Sequence, residues 1–193
     1  MQLNLIYLES VMRLLQRVVH PSIQIENLSP CHHQSFTRIA TRAIVIRDNK
    51  ILLMFTKRYN DYSLPGGGVD EGEDLLTGFK RELAEETGAV GIKSVQAFGL
   101  YEEYRPHKSD KHNPECSIMH MLSYCYSCEI GEHLGANKLE DYEVNNGMQV
   151  CWVHIDDAIQ HNINTMQNDK KQGLSIQRET YLMQQIKVQF TLD

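Results

Sequence analysis

Apolar residues recur at helical spacing at the start of the chain. Leu3, Ile6, Tyr7, Val11, Leu14, Leu15, Val18 and Val19 fall on one side of a 3.6-residue period. The pattern predicts an amphipathic helix over 3–19, limited by Pro21, whose ring blocks an interior hydrogen bond. Such a helix packs on its own domain or on a second subunit, so a homodimer is one expected assembly. It lacks the cationic polar face of a membrane-surface helix. Residues 21–36 are polar and irregular and read as a linker.

From residue 37 the period changes. Ile39, Thr41, Ala43, Val45 and Ile46 lead to Asp48-Asn49-Lys50 and then Ile51 to Phe55, which predicts a β-hairpin. Residues 64–72 form a glycine-rich loop. Residues 73–87 are helical in composition, with Gly88 placed to cap the helix in the left-handed conformation. Strands are expected at 92–104, 117–128 and 149–154, and helices from about Asp156 and from Leu174 to Gln189. The last helix would bury Leu174, Tyr181, Leu182 and Ile186. This order describes an α/β (α+β) layered domain with a mixed sheet over 37–193, preceded by a helix and linker over 1–36.

Composition narrows the function. The 193 residues carry 19 Lys and Arg against 25 Asp and Glu, a net charge of −6. An acidic chain without a basic block is a poor match for long nucleic acid, but small phosphorylated ligands held through metal ions remain open. No stretch reaches about 18 uncharged apolar residues, so no membrane span is expected. Glu9, Arg13 and Arg17 interrupt the first apolar pattern, unlike a signal peptide. Five irregularly spaced cysteines fit a reducing compartment, and the chain reads as soluble and cytoplasmic. Cys125-Tyr126-Ser127-Cys128 is a CxxC near His112, Cys116 and His120. It falls on an expected strand, so buried thiols are expected rather than zinc ligands. Cys31-His32-His33 lies in the linker and is expected to be exposed.

Residues 66–89, GGGVDEGEDLLTGFKRELAEETGA, stand apart. Glu82, Glu85 and Glu86 share one helical face, with Arg81 placed to offset their repulsion through an i,i+4 pair with Glu85. Leu76, Phe79 and Leu83 occupy a neighbouring, anchoring face. Carboxylates beside glycines suit a hard divalent cation that also takes phosphate oxygens. The full spacing is Gly67, five residues, Glu73, seven residues, then Arg81-Glu82-Leu83-Ala84-Glu85-Glu86-Thr87-Gly88-Ala89. It resembles the Nudix box of the Nudix (MutT-like) hydrolases. Ala89 is the one departure, at a packing position where the family has a larger aliphatic residue.

The resemblance implies an α/β/α sandwich and Mg²⁺- or Mn²⁺-dependent hydrolysis of a nucleoside diphosphate linked to another group. By position it implies Glu82 and Glu86 as metal ligands, Glu85 as a frequent third, and a backbone carbonyl of Gly66 or Gly67 as another. It implies Glu73 and Arg81 as the pair that orients loop and helix. The proton-accepting carboxylate is either a box glutamate such as Glu85 or one from a later loop, where Glu140, Asp141 and Glu143 stand. Glu102 and Glu103 are weaker candidates.

Substrate contacts are expected outside the carboxylates. Lys57, Arg58, Tyr59 and Tyr62 precede the loop, Gly67 and Gly68 lie in it, and Tyr104, Arg105, His107 and Lys108 follow. Guanidinium and aromatic groups suit phosphate pairing and base stacking. Two function classes follow. The first is a pyrophosphohydrolase, on ADP-ribose or nucleotide-sugar substrates first and nucleoside triphosphates second. The other is a non-catalytic nucleotide sensor, a class in which box carboxylates are often lost; here all are retained.

Overall fold

In a computed structural model, residues 12–23, 35–107, 118–169 and 172–192 are described. The strands are β1 (Leu14–Val19), β2 (Ser35–Ile44), β3 (Ile46–Arg47), β4 (Lys50–Thr56), β5 (Asp61–Ser63), β6 (Lys93–Pro106), β7 (Ile118–Glu129) and β8 (Met148–Val153). The helices are α1 (Leu75–Thr87), α2 (Asp141–Asn146), α3 (Ile155–Asn168) and α4 (Ile176–Phe190). One mixed sheet has the order β1-β6-β7-β2, with β1 parallel to β6, β6 antiparallel to β7 and β7 parallel to β2. The second sheet is antiparallel, with β4 paired to β3, β5 and β8.

Strand β4 and the second half of β2 are buried on both faces, and strand alternation builds two cores. Ile44, Ile51, Leu53 and Cys125 point to one side, where they meet Ile155 and Ala158 of α3 and Leu182, Met183 and Ile186 of α4. Ala43, Val45, Leu52 and Tyr126 point to the other, against Phe79 and Leu83 of α1. The result is the expected α/β/α sandwich. Ala89 is buried in the second core, so its small side chain is accommodated. The β3–β4 hairpin turns through Asp48 and Asn49, both at positive φ (49° and 61°), as a two-residue loop needs.

Two expectations are corrected. Leu14–Val19, placed above in a helix, is strand β1, paired in parallel with Leu100–Tyr104 of β6. Edge pairing on an existing sheet satisfies these backbone groups, and Val18 and Val19 are β-branched and stiff in a helix. The preceding residues of that predicted helix, through Val11, lie outside the described residues. Leu174 is 83 % exposed and precedes α4, whereas Leu182 and Ile186 are fully buried as expected. Cys125 and Cys128 fall in opposite cores, as the strand reading required, and burial pushes both thiols up to about 12. His112, Cys116 and the Cys31-His33 segment lie outside the described residues. No described helix is long and apolar enough to cross a membrane.

The strand assignment of β1 has a direct test. A Cβ built on Gly99 of β6 would stand 2.5 Å from Cγ of Leu15. Gly99→Val is expected to destabilise the fold by about 1–3 kcal/mol through overpacking, read from the urea midpoint. An unchanged midpoint would mean that Leu15 does not pack there.

Candidate active site

The glycine loop is held by β2 as though it were another strand. Ala43 N–H donates to the Pro65 carbonyl at 2.8 Å, Thr41 N–H to Gly67 at 3.0 Å, and Val69 N–H to Ile39 at 3.0 Å. Close approach explains the glycines. Gly66 sits at φ 134°, and a Cβ there would lie 2.2 Å from the Thr41 carbonyl oxygen. A Cβ on Gly67 would lie 2.3 Å from Oε2 of Glu82, in the space before that carboxylate.

Helix α1 follows with both ends capped. Asp74 accepts the N–H groups of Leu76 and Thr77, each at 3.1 Å. Gly88 closes the helix at φ 72° and donates to the Ala84 carbonyl. Phe79 and Leu83 anchor one face in the core, which leaves the glutamates toward the loop.

Arg81 joins helix to loop. Its Nε and Nη2 donate to the two Glu73 carboxylate oxygens at 2.9 and 2.8 Å, a bidentate pair. Nη2 also reaches the Gly68 carbonyl at 2.9 Å. Nη1 donates to Glu82 at 2.7 Å and to Glu85 at 3.3 Å. The hydrogen bonds from Arg81 hold the Glu73 carboxyl below the ordinary carboxylate range.

Glu86 is the buried member of the acidic face, at 6 % exposure. Its Oε2 accepts the Gly66 N–H at 2.6 Å. Burial pushes its carboxyl up to about 8; the Gly66 N–H opposes this, and the Glu143 carboxylate adds to it. Glu143 is itself 4 % exposed. It comes from α2, where its oxygens accept the Glu140 N–H at 2.8 Å and the Tyr142 hydroxyl at 3.0 Å. Glu86 and Glu143 thus face one cleft from two elements.

The cleft has a volume of about 360 Å³, within the usual range for small-molecule sites. Gly66, Gly67, Gly68, Tyr59 and Arg105, all anticipated above, line it. Arg58 does not: it is exposed, bonds Asn146 at 3.1 Å and lies over the Tyr59 ring. Glu140 also stays outside, as the exposed residue before α2. Tyr62 packs against Phe55 and His161, and Tyr104 stacks on His120. Glu102 is committed to Arg17, Tyr104 and His120, and Glu103 to Arg178 at 3.1 Å. The backbone acceptors are partly engaged too. Arg42 donates to the Gly66 carbonyl at 2.8 Å, and Thr41 N–H holds that of Gly67.

A family model described as the NUDIX domain matches residues 37–174, more than half of the chain. The chain belongs to the NUDIX family. An ADP-ribose pyrophosphatase of Methanocaldococcus jannaschii is 32% identical over 122 residues, 60% of this chain and 68% of that protein. An RNA pyrophosphohydrolase of Caulobacter vibrioides is 57% identical over 44 residues, 23% of each chain, so less than a quarter of that relative is spanned. A diphosphoinositol polyphosphate phosphohydrolase 2 of Rattus norvegicus is 31% identical over 116 residues, 58% of this chain and 54% of that protein. Among solved structures, a NUDIX hydrolase from Nitrosomonas europaea has a TM-score of 0.48 at 20% identity, covering 73% of this chain and 95% of that one.

In this NUDIX chain several cleft residues escaped the sequence reading: Arg38, Arg42, Asp61, Arg178 and Glu179. Glu179 is buried between two guanidiniums, with Arg42 Nε at 3.3 Å and Arg178 Nη2 at 2.9 Å. It also accepts the Leu64 N–H at 3.1 Å. Burial pushes the Glu179 carboxyl up, but Arg178 and Arg42 outweigh it and hold it below the ordinary range. One signal was available. Arg178 and Glu179 flank buried helical positions of α4, where solvated charges have no place.

Asp61 generates a pH prediction. Burial, then the Glu179 charge, raises its carboxyl from 3.8 to about 6, with His161 opposing. The native state therefore binds this proton more tightly than the unfolded chain, and the Asp61 contribution falls as pH rises through that interval. Asp61→Asn cannot titrate. Its stability advantage over the parent chain is expected to grow from about pH 4 to about pH 6 and then level off, read as the difference in urea midpoints. A difference independent of pH would refute the shift.

Proposed function

We propose that this chain hydrolyses a phosphoanhydride bond in a nucleoside diphosphate linked to another moiety, with a divalent cation, Mg²⁺ or Mn²⁺. The observation that carries the reading is the convergence of Glu86 and Glu143, both buried, on one cleft beside the glycine loop. The names of the relatives, which act on ADP-ribose, RNA and diphosphoinositol polyphosphates, share pyrophosphate chemistry.

The residues fit a hard cation. The donors are carboxylates, and the space a Cβ on Gly67 would fill lies directly before the Glu82 carboxylate. Among the described residues no three His, Cys, Asp or Glu side chains are grouped so as to hold a metal ion by themselves. A cation here would need substrate phosphate oxygens or waters to complete its shell. Glu82, Glu85 and Glu86 would hold it, with the free lone pair of a Gly66 or Gly67 carbonyl. Bound there, it would supply charge neutralisation on the pyrophosphate and a lowered pKa for the attacking water.

The protein's own groups do the rest. Arg81 donates to both Glu82 and Glu85 and so fixes their side chains beside the loop. Glu143, fixed by the Glu140 N–H and the Tyr142 hydroxyl, is placed to take the proton of the attacking water. It replaces Glu140 as the later-loop base, and Glu85 remains the box alternative. Tyr59 offers a stacking face for a base or ribose. The free thiols of Cys125, Cys128 and Cys151 suit a reducing, cytoplasmic setting. The homodimer loses its argument, because Leu14–Val19 is used within the sheet.

Retention of every box carboxylate favours turnover over sensing. Glu86→Gln is expected to lower metal-dependent hydrolysis by at least about 100-fold. It should melt no lower than the parent, since burial already disfavours that charge. Phosphate release from ADP-ribose, nucleotide sugars and nucleoside triphosphates, with Mg²⁺, Mn²⁺ or chelator, decides it. Near-normal turnover by Glu86→Gln would overturn the assignment of the site.

A further inference from the structure

The cleft has a cationic end with an unequal state of pairing. Four arginines line it: Arg38, Arg42, Arg105 and Arg178. The inner two are neutralised. Arg42 and Arg178 share Glu179, and Arg178 also bonds Glu103 at 3.1 Å. The outer two are not. Among the described residues, neither Arg38 nor Arg105 has a carboxylate within ion-pair distance. Arg105 is half-buried, and its Nη2 rests on the Met119 sulfur at 3.7 Å, a weak acceptor.

Register places the two together. Arg38 of β2 lies opposite Met121 of β7, and Arg105 of β6 lies opposite Met119. Met119 and Met121 are two residues apart on one strand, so both arginines share one face in adjacent rows. Arg38 also reaches the glycine loop: a Cβ on Gly68 would stand 3.5 Å from its Nη2. Arg38 therefore borders the same loop that Glu82 and Glu86 contact, and Arg105 lines the cleft with it. Burial, and then repulsion from Arg178, Arg38 and Arg42, lowers the Arg105 pKa against the pull of Glu103. A partly desolvated guanidinium among like charges is stabilised by an incoming anion.

We propose that Arg38 and Arg105 form a subsite for a substrate phosphate lying outside the pyrophosphate that is cleaved. This chain would accordingly select pyrophosphate compounds that carry a third phosphate. Two guanidinium forks match the charge and the oxygen array of a terminal phosphate better than the hydroxyls of a sugar. The inference deepens the hydrolase reading and rests on it for its substrate.

ATP and ADP-ribose make a matched pair, because they share adenosine and a pyrophosphate and differ in whether a third phosphate or a ribose follows it. With Mg²⁺, the parent chain is expected to favour ATP in kcat/KM by at least about tenfold. In Arg105→Ala and Arg38→Ala that preference should fall by about tenfold, chiefly through KM for ATP, with Arg105→Lys recovering part of it. A parent chain that favours ADP-ribose, or variants that keep the preference, would overturn the subsite. A second arm needs no turnover. In chelator, calorimetry should show inorganic tripolyphosphate binding at least about fivefold tighter than pyrophosphate, and the Arg38→Ala/Arg105→Ala double variant should erase that difference. Equal binding of the two by the parent chain would also overturn the subsite. A chain that cleaves neither nucleotide nor the nucleotide sugars but discriminates between the two inorganic anions would refute the hydrolase reading and leave the subsite standing.

Discussion

Everything at the candidate site depends on how one guanidinium is spent. Three glutamates on one face of α1 repel each other and would turn toward water in an isolated helix. Arg81 sits among them and reaches out to Glu73 and to the Gly68 carbonyl. Its bonds therefore do two things at once. They fasten the loop to the helix, and they oppose the burial that pushes the Glu82 carboxyl up beside the glycine backbone. The bidentate geometry with Glu73 requires arginine, because a lysine ammonium could not hold both oxygens and the carbonyl in one plane.

A second set of charges ties the far end of the chain to the same loop. Glu179 is buried in α4, yet it bonds Arg42 of β2 and the N–H of Leu64, just before the glycines. Arg42 in turn caps the Gly66 carbonyl. Buried charges of this kind cost several kcal/mol each in desolvation and persist only when fully paired. Here each acceptor oxygen is used. The outcome is that α4, beyond the span matched to the family, sets the position of the loop and lines the cleft.

The cleft is thus divided between unlike surroundings. One part is acidic, where Glu86 and Glu143 are both buried. The other is basic, where Arg42 and Arg178 are spent on Glu179 while Arg38 and Arg105 keep their charge available. An anionic ligand and a divalent cation together would relieve both. Both halves line the same cleft.

Local pattern determined much of this protein. The spacing from Gly67 to Ala89 named the loop, the helix with its glycine cap, its anchoring face and the Arg81–Glu85 pair, because each depends on residues within a few turns of one another; the Glu73–Arg81 pair was implied by the family resemblance. Strand alternation likewise placed Cys125 and Cys128 on opposite sides. What depended on distant chain segments was decided only by the tertiary structure. Leu14–Val19 has a helical period, but an available edge of β6 turns it into a strand, and no local signal announces a parallel partner more than eighty residues away. Between Glu140 and Glu143 the sequence offered no choice; the direction of the short helix α2 buries one and exposes the other. Arg38, Arg105 and Arg178 lie on separate elements. They become one surface only when β2, β6 and α4 are packed together, because charge pairing follows distance in space and not position along the chain.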